Sequence, residues 1–324
     1  MHGLGSARTE RRLGNSSMNI IPDDIDFEAY LNKSDHSAHV KSAADYTSAI
    51  IDLYNLDGVD VTPTLPWSKT FSNVRLRPGE VSIWHGINGH GKSMLQGFVD
   101  LSLMQQGEKV CIASFEMKPA RTLARMCRQA AGCEQPSIRF INGFGAWTDG
   151  RLWMYDQQGT VTPDRVRGVL AYCHAELGIT HFVIDSLMKC GIRGDDYNRQ
   201  KDFVDELTSF ARDTGMHIHL IAHSRKGEDE MKPPGKMDVK GASEITDQVD
   251  NIFNVWRNKR KEAELRKPVA NQSKEILEQP DELILLDKQR NGEWEGTIAL
   301  WFDRASFQYR ADSRSGSIDF GVPY

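Results

Sequence analysis

From about residue 68 onward, short apolar runs alternate with longer stretches whose apolar residues recur every three or four positions. Short runs bounded by Gly, Asp or Asn predict strands, and the longer periodic stretches predict helices. Strands are expected at residues 79–86 ("GEVSIWHG"), 109–116 ("KVCIASFE"), 151–156, 180–187 ("THFVIDSL") and 216–224 ("MHIHLIAHS"). Helices are expected between them at 92–107, 121–132, 162–178 and 199–215, with a loop ahead of residue 151. Further strands follow at 250–258, 281–292 and 297–303, the last two joined by an Asn-Gly turn. Strands separated by helices require crossovers, so the pattern predicts an α/β fold whose central, mostly parallel sheet is flanked by helices on both faces. The charged, weakly periodic stretch 257–282 is expected to be a solvated insertion between two late strands.

The amino-terminal part has a different texture. Residues 1–18 are rich in Gly, Ser and Arg without apolar periodicity, as in a disordered or vector-derived tail, with Met18 as a natural start. Residues 19–66 contain one amphipathic helix, 39–56, with Val40, Ala44, Ile50, Leu53 and Tyr54 near one side. It is either packed on its own domain or a linker helix that docks on a neighbouring subunit. A Pro-broken connector, 59–69, leads into the main domain, 67–312, and residues 313–324 are expected to be a carboxyl-terminal tail.

Composition removes several alternatives. No apolar run approaches about 18 residues, so no membrane-spanning helix is expected. Five cysteines without a C-x-x-C pair speak against a zinc site and for core thiols of a reducing cytoplasm. The net charge of -5 counts against a surface coated for nucleic acid but leaves room for a local basic track.

The strand at 79–86 runs into "GINGHGKS", and a helix follows. Gly86, Gly91, Lys92 and Ser93 fill the pattern G-x-x-x-x-G-K-[ST], in which backbone N–H groups and a helix amino terminus cradle phosphates. Asn88, Gly89 and Met94 complete the cradle. Lys92 is expected at the β- and γ-phosphates, and Ser93 on Mg²⁺. Asp185 ends the apolar strand "HFVID" at the ligand-binding edge of such a sheet, where it can hold Mg²⁺ through water; a helix cap is the plainer alternative. Glu116, in "IASFEM", ends the strand after the cradle helix, where a carboxylate can activate water. His223 ends another strand at the same edge and is either structural or a γ-phosphate sensor, whereas His217 and His219 are expected to be structural. The loop beyond carries Arg225, Lys226, Lys232, Lys236 and Lys240, spaced by Gly and Pro. It is either a solvated loop or one that tracks a nucleic-acid backbone. Lys288 and Arg290 alternate along the strand "LLDKQRNG", an arrangement that suits a reach toward phosphate, in a neighbouring subunit if the protein forms a ring.

These motifs, in this order from about residue 67 to 310, resemble the RecA-fold hexameric DNA helicases: the DnaB-like replicative family and the phage T7-type helicases. "SFEM" and "KQRNG" carry the resemblance more specifically than the phosphate cradle does. It implies ATP and Mg²⁺ as cofactors, with Glu116 as catalytic base, Asp185 as the acid that organises Mg²⁺, and His223 as γ-phosphate sensor. It also implies that Arg290, with Lys288, is an arginine finger entering the next subunit's site. Arg225, Lys240 and Gly241 fall where the family's loops hold single-stranded DNA, beside Lys226 and Lys236. The implied assembly is a hexameric ring on single-stranded DNA with 5′–3′ helicase activity, served by a separate primase or loader. The implied setting is the cytoplasm of a bacterial cell, with the gene carried by a phage or plasmid. Two alternatives share the core: a RecA- or RadA-like ATP-gated filament protein, and a helicase-loader or initiator ATPase.

Overall fold

A computed structural model describes residues 19–21, 25–31, 43–54, 61–193, 195–224, 231–234, 238–239 and 243–323. Its centre is a ten-stranded sheet in the order β1-β4-β3-β5-β6-β2-β7-β8-β9-β10. The parallel part comprises β1 (Asn19–Ile21), β2 (Val81–Gly86), β3 (Val110–Ser114), β4 (Leu152–Tyr155), β5 (His181–Asp185), β6 (His217–His223) and β7 (Asn251–Arg257). β8 (Glu282–Gln289), β9 (Gly296–Phe302) and β10 (Tyr309–Arg310) add antiparallel at one edge. β2, β3 and β5 are buried along their whole length, which explains their mostly apolar character.

Helices cover both faces. α3 (Lys92–Gln105), α4 (Pro119–Ala131) and α5 (Ile138–Thr148) pack Leu95, Phe98, Met126 and Phe144 on one side. α6 (Pro163–Tyr172), α7 (Tyr197–Thr214) and the short α8 (Ser243–Gln248) form the other layer, where Val166, Leu170, Phe203 and Leu207 are buried. Among the described residues no helix is long and apolar enough to cross a membrane.

Four elements differ from the sequence expectation. The expected loop before β4 contains α5: Ser137 caps it by accepting from the Phe140 N–H, and Phe140, Phe144 and Trp147 face the core. Two glycines, Gly143 and Gly145, obscure that periodicity in the sequence. The charged insertion is folded into α9 (Lys259–Leu265) and α10 (Lys274–Leu277), pinned by a 3.0 Å Lys261–Asp281 ion pair and by Glu264, whose carboxylate accepts from the Ser273 N–H. The expected tail is partly core, since Phe320 and Val322 are buried and Phe320 meets Phe98 edge-on at 5.4 Å.

At the amino end, β1 extends the sheet beside β4, and α1 (Glu28–Leu31) lies on α6. Phe27 fits there because position 168 is glycine; a Cβ at Gly168 would stand 2.6 Å from the Phe27 carbonyl oxygen. Of the expected linker helix, Val40 lies outside the described residues. The described part is a 3₁₀ turn, Ala43–Tyr46, and α2 (Thr47–Leu53), on which Ile50 and Ile51 are exposed, with Tyr54 exposed just beyond.

The histidines buried in β5 and β6 are paired. His217 donates from Nδ1 to the Arg77 carbonyl at 2.6 Å and its Nε2 accepts from Ser82, while Trp84 donates to His219 Nδ1 and His219 Nε2 meets His181 Nδ1 at 3.0 Å. His217 and His219 are therefore structural. Burial lowers His217 from an ordinary 6.5 to about 4, so it is neutral when folded and takes up a proton near 6.5 when unfolded. Its contribution to stability is fully present above pH 6.5 and is lost as the pH falls toward 4. His217→Asn should accordingly destabilise the protein by about 1–3 kcal/mol at pH 7.5 in denaturant titration, and the gap from the parent should narrow at pH 5. Asp100, a buried acid held up to about 8, acts with the opposite sign, so the comparison is between variant and parent at each pH.

Candidate nucleotide site

The parallel strands end at one edge of the sheet, and the phosphate loop rises there. Gly86 closes β2 against β7, where a Cβ would stand 2.2 Å from the Val255 carbonyl oxygen, so no other residue fits. Gly89 and Gly91 take left-handed backbone angles, φ 80° and 85°, and Gly91 caps α3. The loop is tied to β7 by the Arg257 N–H, which donates to His90 Nδ1 at 3.1 Å, and to β6 by the Ser224 N–H, which donates to the Gly86 carbonyl at 2.9 Å.

Lys92 turns back over this loop and donates to the Gly86 and Ile87 carbonyls at 2.9 and 3.1 Å. Burial lowers it to about 8, against the pull of the Asp185 and Glu116 carboxylates. Asp185 is buried at the end of β5 and hydrogen-bonded to Ser93; burial raises its pKa. A buried carboxylate held up in this way, beside a hydroxyl, fits a divalent cation that would restore its charged form. Glu116 accepts from the Ser186 hydroxyl at 3.1 Å, and its Oε1 lies 3.8 Å from His223 Nε2. His223 stands beside Gly86 in the sheet register, so the phosphate loop and His223 are neighbours.

Together these groups line a cleft of about 440 Å³ with Asn88, Gly89, Gly91 and Met94. Its other wall holds residues that the sequence reading did not single out: Arg125 from α4, Arg257 at the end of β7, Phe302 at the end of β9, and Phe307. Phe302 and Phe307 stack at 5.9 Å with planes 15° apart, and the Arg128 guanidinium lies 3.6 Å from the centre of the Phe307 ring. Phe307 has φ 61°, a left-handed conformation that is costly for an aromatic residue and holds its ring at the cleft. Arg257 was findable, because it ends a strand at the same edge as Asp185 and His223. Nothing local in "DRASFQ" marks Phe307.

Lys288 and Arg290 are elsewhere. Gln289 pairs with Asn251, which pairs with Ser82 near the start of β2, the end away from the phosphate loop. Both cations grip the carboxyl end of α8. Lys288 donates to the Thr246 and Asp247 carbonyls at 2.8 and 2.9 Å, and Arg290 to those of Asp247 and Gln248 at 2.8 and 2.9 Å. Arg290 also pairs with Asp250 at 3.2 Å, with its side chain 40% exposed. Arg225, Lys226, Lys236, Lys240 and Gly241 lie outside the described residues, and Lys232 is exposed. The flanks of that loop meet in an antiparallel bridge, Ser224 with Val239, so it leaves and returns at the nucleotide edge.

Residues 71–229 match a family model described as an AAA domain. Among solved structures, a DnaB-like replicative helicase, described with its interactions with primase, matches with TM-score 0.68 and 13% identity. The match covers 83% of this chain and 68% of that one. An ATPase domain, that of G-40-P, matches with TM-score 0.66 and 14% identity over 83% of this chain and 99% of the other. The chain shares the fold of these two structures. Within this RecA-like fold, the parallel strands carry the phosphate loop, Glu116, Asp185 and His223 at one edge, and the antiparallel strands carry Lys288 and Arg290 toward the other.

Proposed function

We propose that the chain is the ATP-hydrolysing motor of a replicative DNA helicase that works as a ring, in which each copy supplies an incomplete site and its neighbour completes it. One observation carries this reading: the phosphate loop, Glu116, Asp185 and His223 share one cleft, while Arg290 is exposed near the opposite end of the same sheet. An arginine so placed serves its own cleft poorly and a neighbour's well.

In the cleft, Lys92 and the loop N–H groups hold the phosphates, and the aromatic wall at Phe302, Phe307 and Arg257 suits the base. Ser93 and Asp185 would hold Mg²⁺, which would neutralise phosphate charge. Glu116, oriented by Ser186, accepts a proton from the attacking water, and His223 contacts both Glu116 and the space for the γ-phosphate. Arg290 of a neighbouring copy stabilises the charge that develops on the transferred group. Because Lys288 and Arg290 hold the carboxyl end of α8, and the loop carrying Lys240 precedes α8, a change in their grip moves that loop. The loop cations Arg225, Lys226, Lys236 and Lys240, with Gly241, then track single-stranded DNA. A hexamer, 5′–3′ movement, a primase or loader partner, and a cytoplasmic, phage- or plasmid-encoded setting complete the reading.

Strand separation on a forked duplex tests it. Unwinding is expected with ATP and a free single-stranded arm, and none with a non-hydrolysable analogue. ATP-dependent coating of single strands without unwinding would overturn the helicase reading in favour of a filament protein.

A further inference from the structure

Behind the metal side of the cleft, between α3, α4 and the sheet, lies a second and smaller chamber of about 20 Å³. It is lined by Ser93, Gln96 and Asp100 from α3, Gln129 from α4, Ser114 from β3 and Asp185 from β5. Such a volume accommodates about one water molecule.

Its walls are mostly apolar, with Met126, Ile112 and Val183 among them, and the few polar groups set into them are incompletely paired. Asp100 is fully buried; its Oδ1 accepts from Gln96 Nε2 at 2.8 Å, while Oδ2 has no protein partner. Gln129 donates from Nε2 to the Met94 and Phe307 carbonyls at 3.1 and 3.0 Å, which fixes its amide, and its Oε1 has no partner. Gln96 Oε1 and Ser114 Oγ, also buried, are in the same position. Burying such groups without a partner is unfavourable. Burial holds Asp100 protonated near neutral pH, so Oδ2 carries a hydrogen. One water then closes the set: its two hydrogens, the Ser114 hydroxyl and the Asp100 O–H make four donors for four acceptors, Gln96 Oε1, Gln129 Oε1, Ser114 Oγ and the water oxygen.

We propose that this chamber binds one water molecule, and that the network it completes through Asp100, Gln96, Gln129 and Ser114 positions Ser93 and Asp185 for the metal of a metal–nucleotide complex. The proposal rests on the nucleotide reading of the cleft. Its connection is structural: Ser93 and Asp100 are on the same helix, and Ser114 is the register neighbour of Asp185 in the sheet. The network therefore joins the two elements that carry the metal-side groups and sets the gap between them.

The test is the binding of a fluorescent, non-hydrolysable ATP analogue, first in EDTA and then across a Mg²⁺ titration. Asp100→Leu, which fills the chamber and removes its carboxylate, should need about 10-fold more Mg²⁺ for half of the affinity gain, with metal-free affinity unchanged. Asp100→Asn keeps an oxygen for Gln96 and presents N–H donors to the chamber, and should restore the parent's requirement. Ser114→Ala should raise the requirement in the same direction and serves if Asp100→Leu does not fold. An unchanged Mg²⁺ requirement in a folded Asp100→Leu, or in Ser114→Ala, overturns the proposal while leaving the nucleotide site intact. A parent protein whose analogue binding ignores Mg²⁺ overturns the reading of the cleft and the proposal with it.

Discussion

Lys92→Ala is expected to lower ATP turnover by about 10³-fold or more, because it removes the cation that the chain places on the phosphate loop's own carbonyls. The alanine also leaves the Gly86 and Ile87 carbonyls without their donor, so nucleotide binding should weaken along with catalysis. A pH dependence separates charge from shape. Burial lowers Lys92 to about 8 in the nucleotide-free cleft, and phosphate charge beside it favours the protonated form. Proton uptake then accompanies binding above pH 8, so affinity should be greatest below 8 and should fall by up to about tenfold per unit as the pH rises beyond it. Fluorescence titration of an ATP analogue at pH 7, 8 and 9 measures this. Lys92→Arg keeps the charge and should flatten the profile, whereas a flat profile in the parent would remove Lys92 from the phosphates.

What could be read in the sequence was what depends on local pattern. Buried parallel strands are mostly apolar, so β2, β3, β5 and β6 were legible, and their order with the intervening helices implied the sheet. The residues at their carboxyl ends, Glu116, Asp185 and His223, were legible for the same reason, since strand ends of such a sheet converge. The elements that escaped depend on distant partners. α5 hides its apolar face among glycines, and Phe320 is indistinguishable from a tail residue until Phe98 covers it. Phe307 reaches the cleft only through a left-handed backbone and the Arg128 guanidinium, neither of which has a sequence pattern. The small chamber is the extreme case. Gln96 and Asp100 looked like ordinary helix residues, and their character appears only where Ser114 and Gln129 close around them.

Arg290→Ala is expected to reduce turnover by about 10³–10⁵-fold while leaving nucleotide affinity close to the parent's, because Arg290 is remote from its own cleft. The substitution also removes bonds to the Asp247 and Gln248 carbonyls and the ion pair with Asp250, so a general loss of fold has to be distinguished from loss of a neighbour's finger. Mixing makes that distinction. Glu116→Ala protein lacks the base but keeps Arg290, and Arg290→Ala protein keeps the base but lacks the finger. In a mixed assembly, an interface that pairs the cleft of an Arg290→Ala copy with the arginine of a Glu116→Ala copy is complete. Activity should therefore appear on mixing two nearly inactive proteins and peak at an intermediate ratio. Such recovery requires that one site draw on two chains, since a misfolded Arg290→Ala subunit has no intact cleft to contribute. If every ratio stays inactive although the variants co-assemble, Arg290 acts within its own chain. Its hold on the carboxyl end of α8 would then be its whole function.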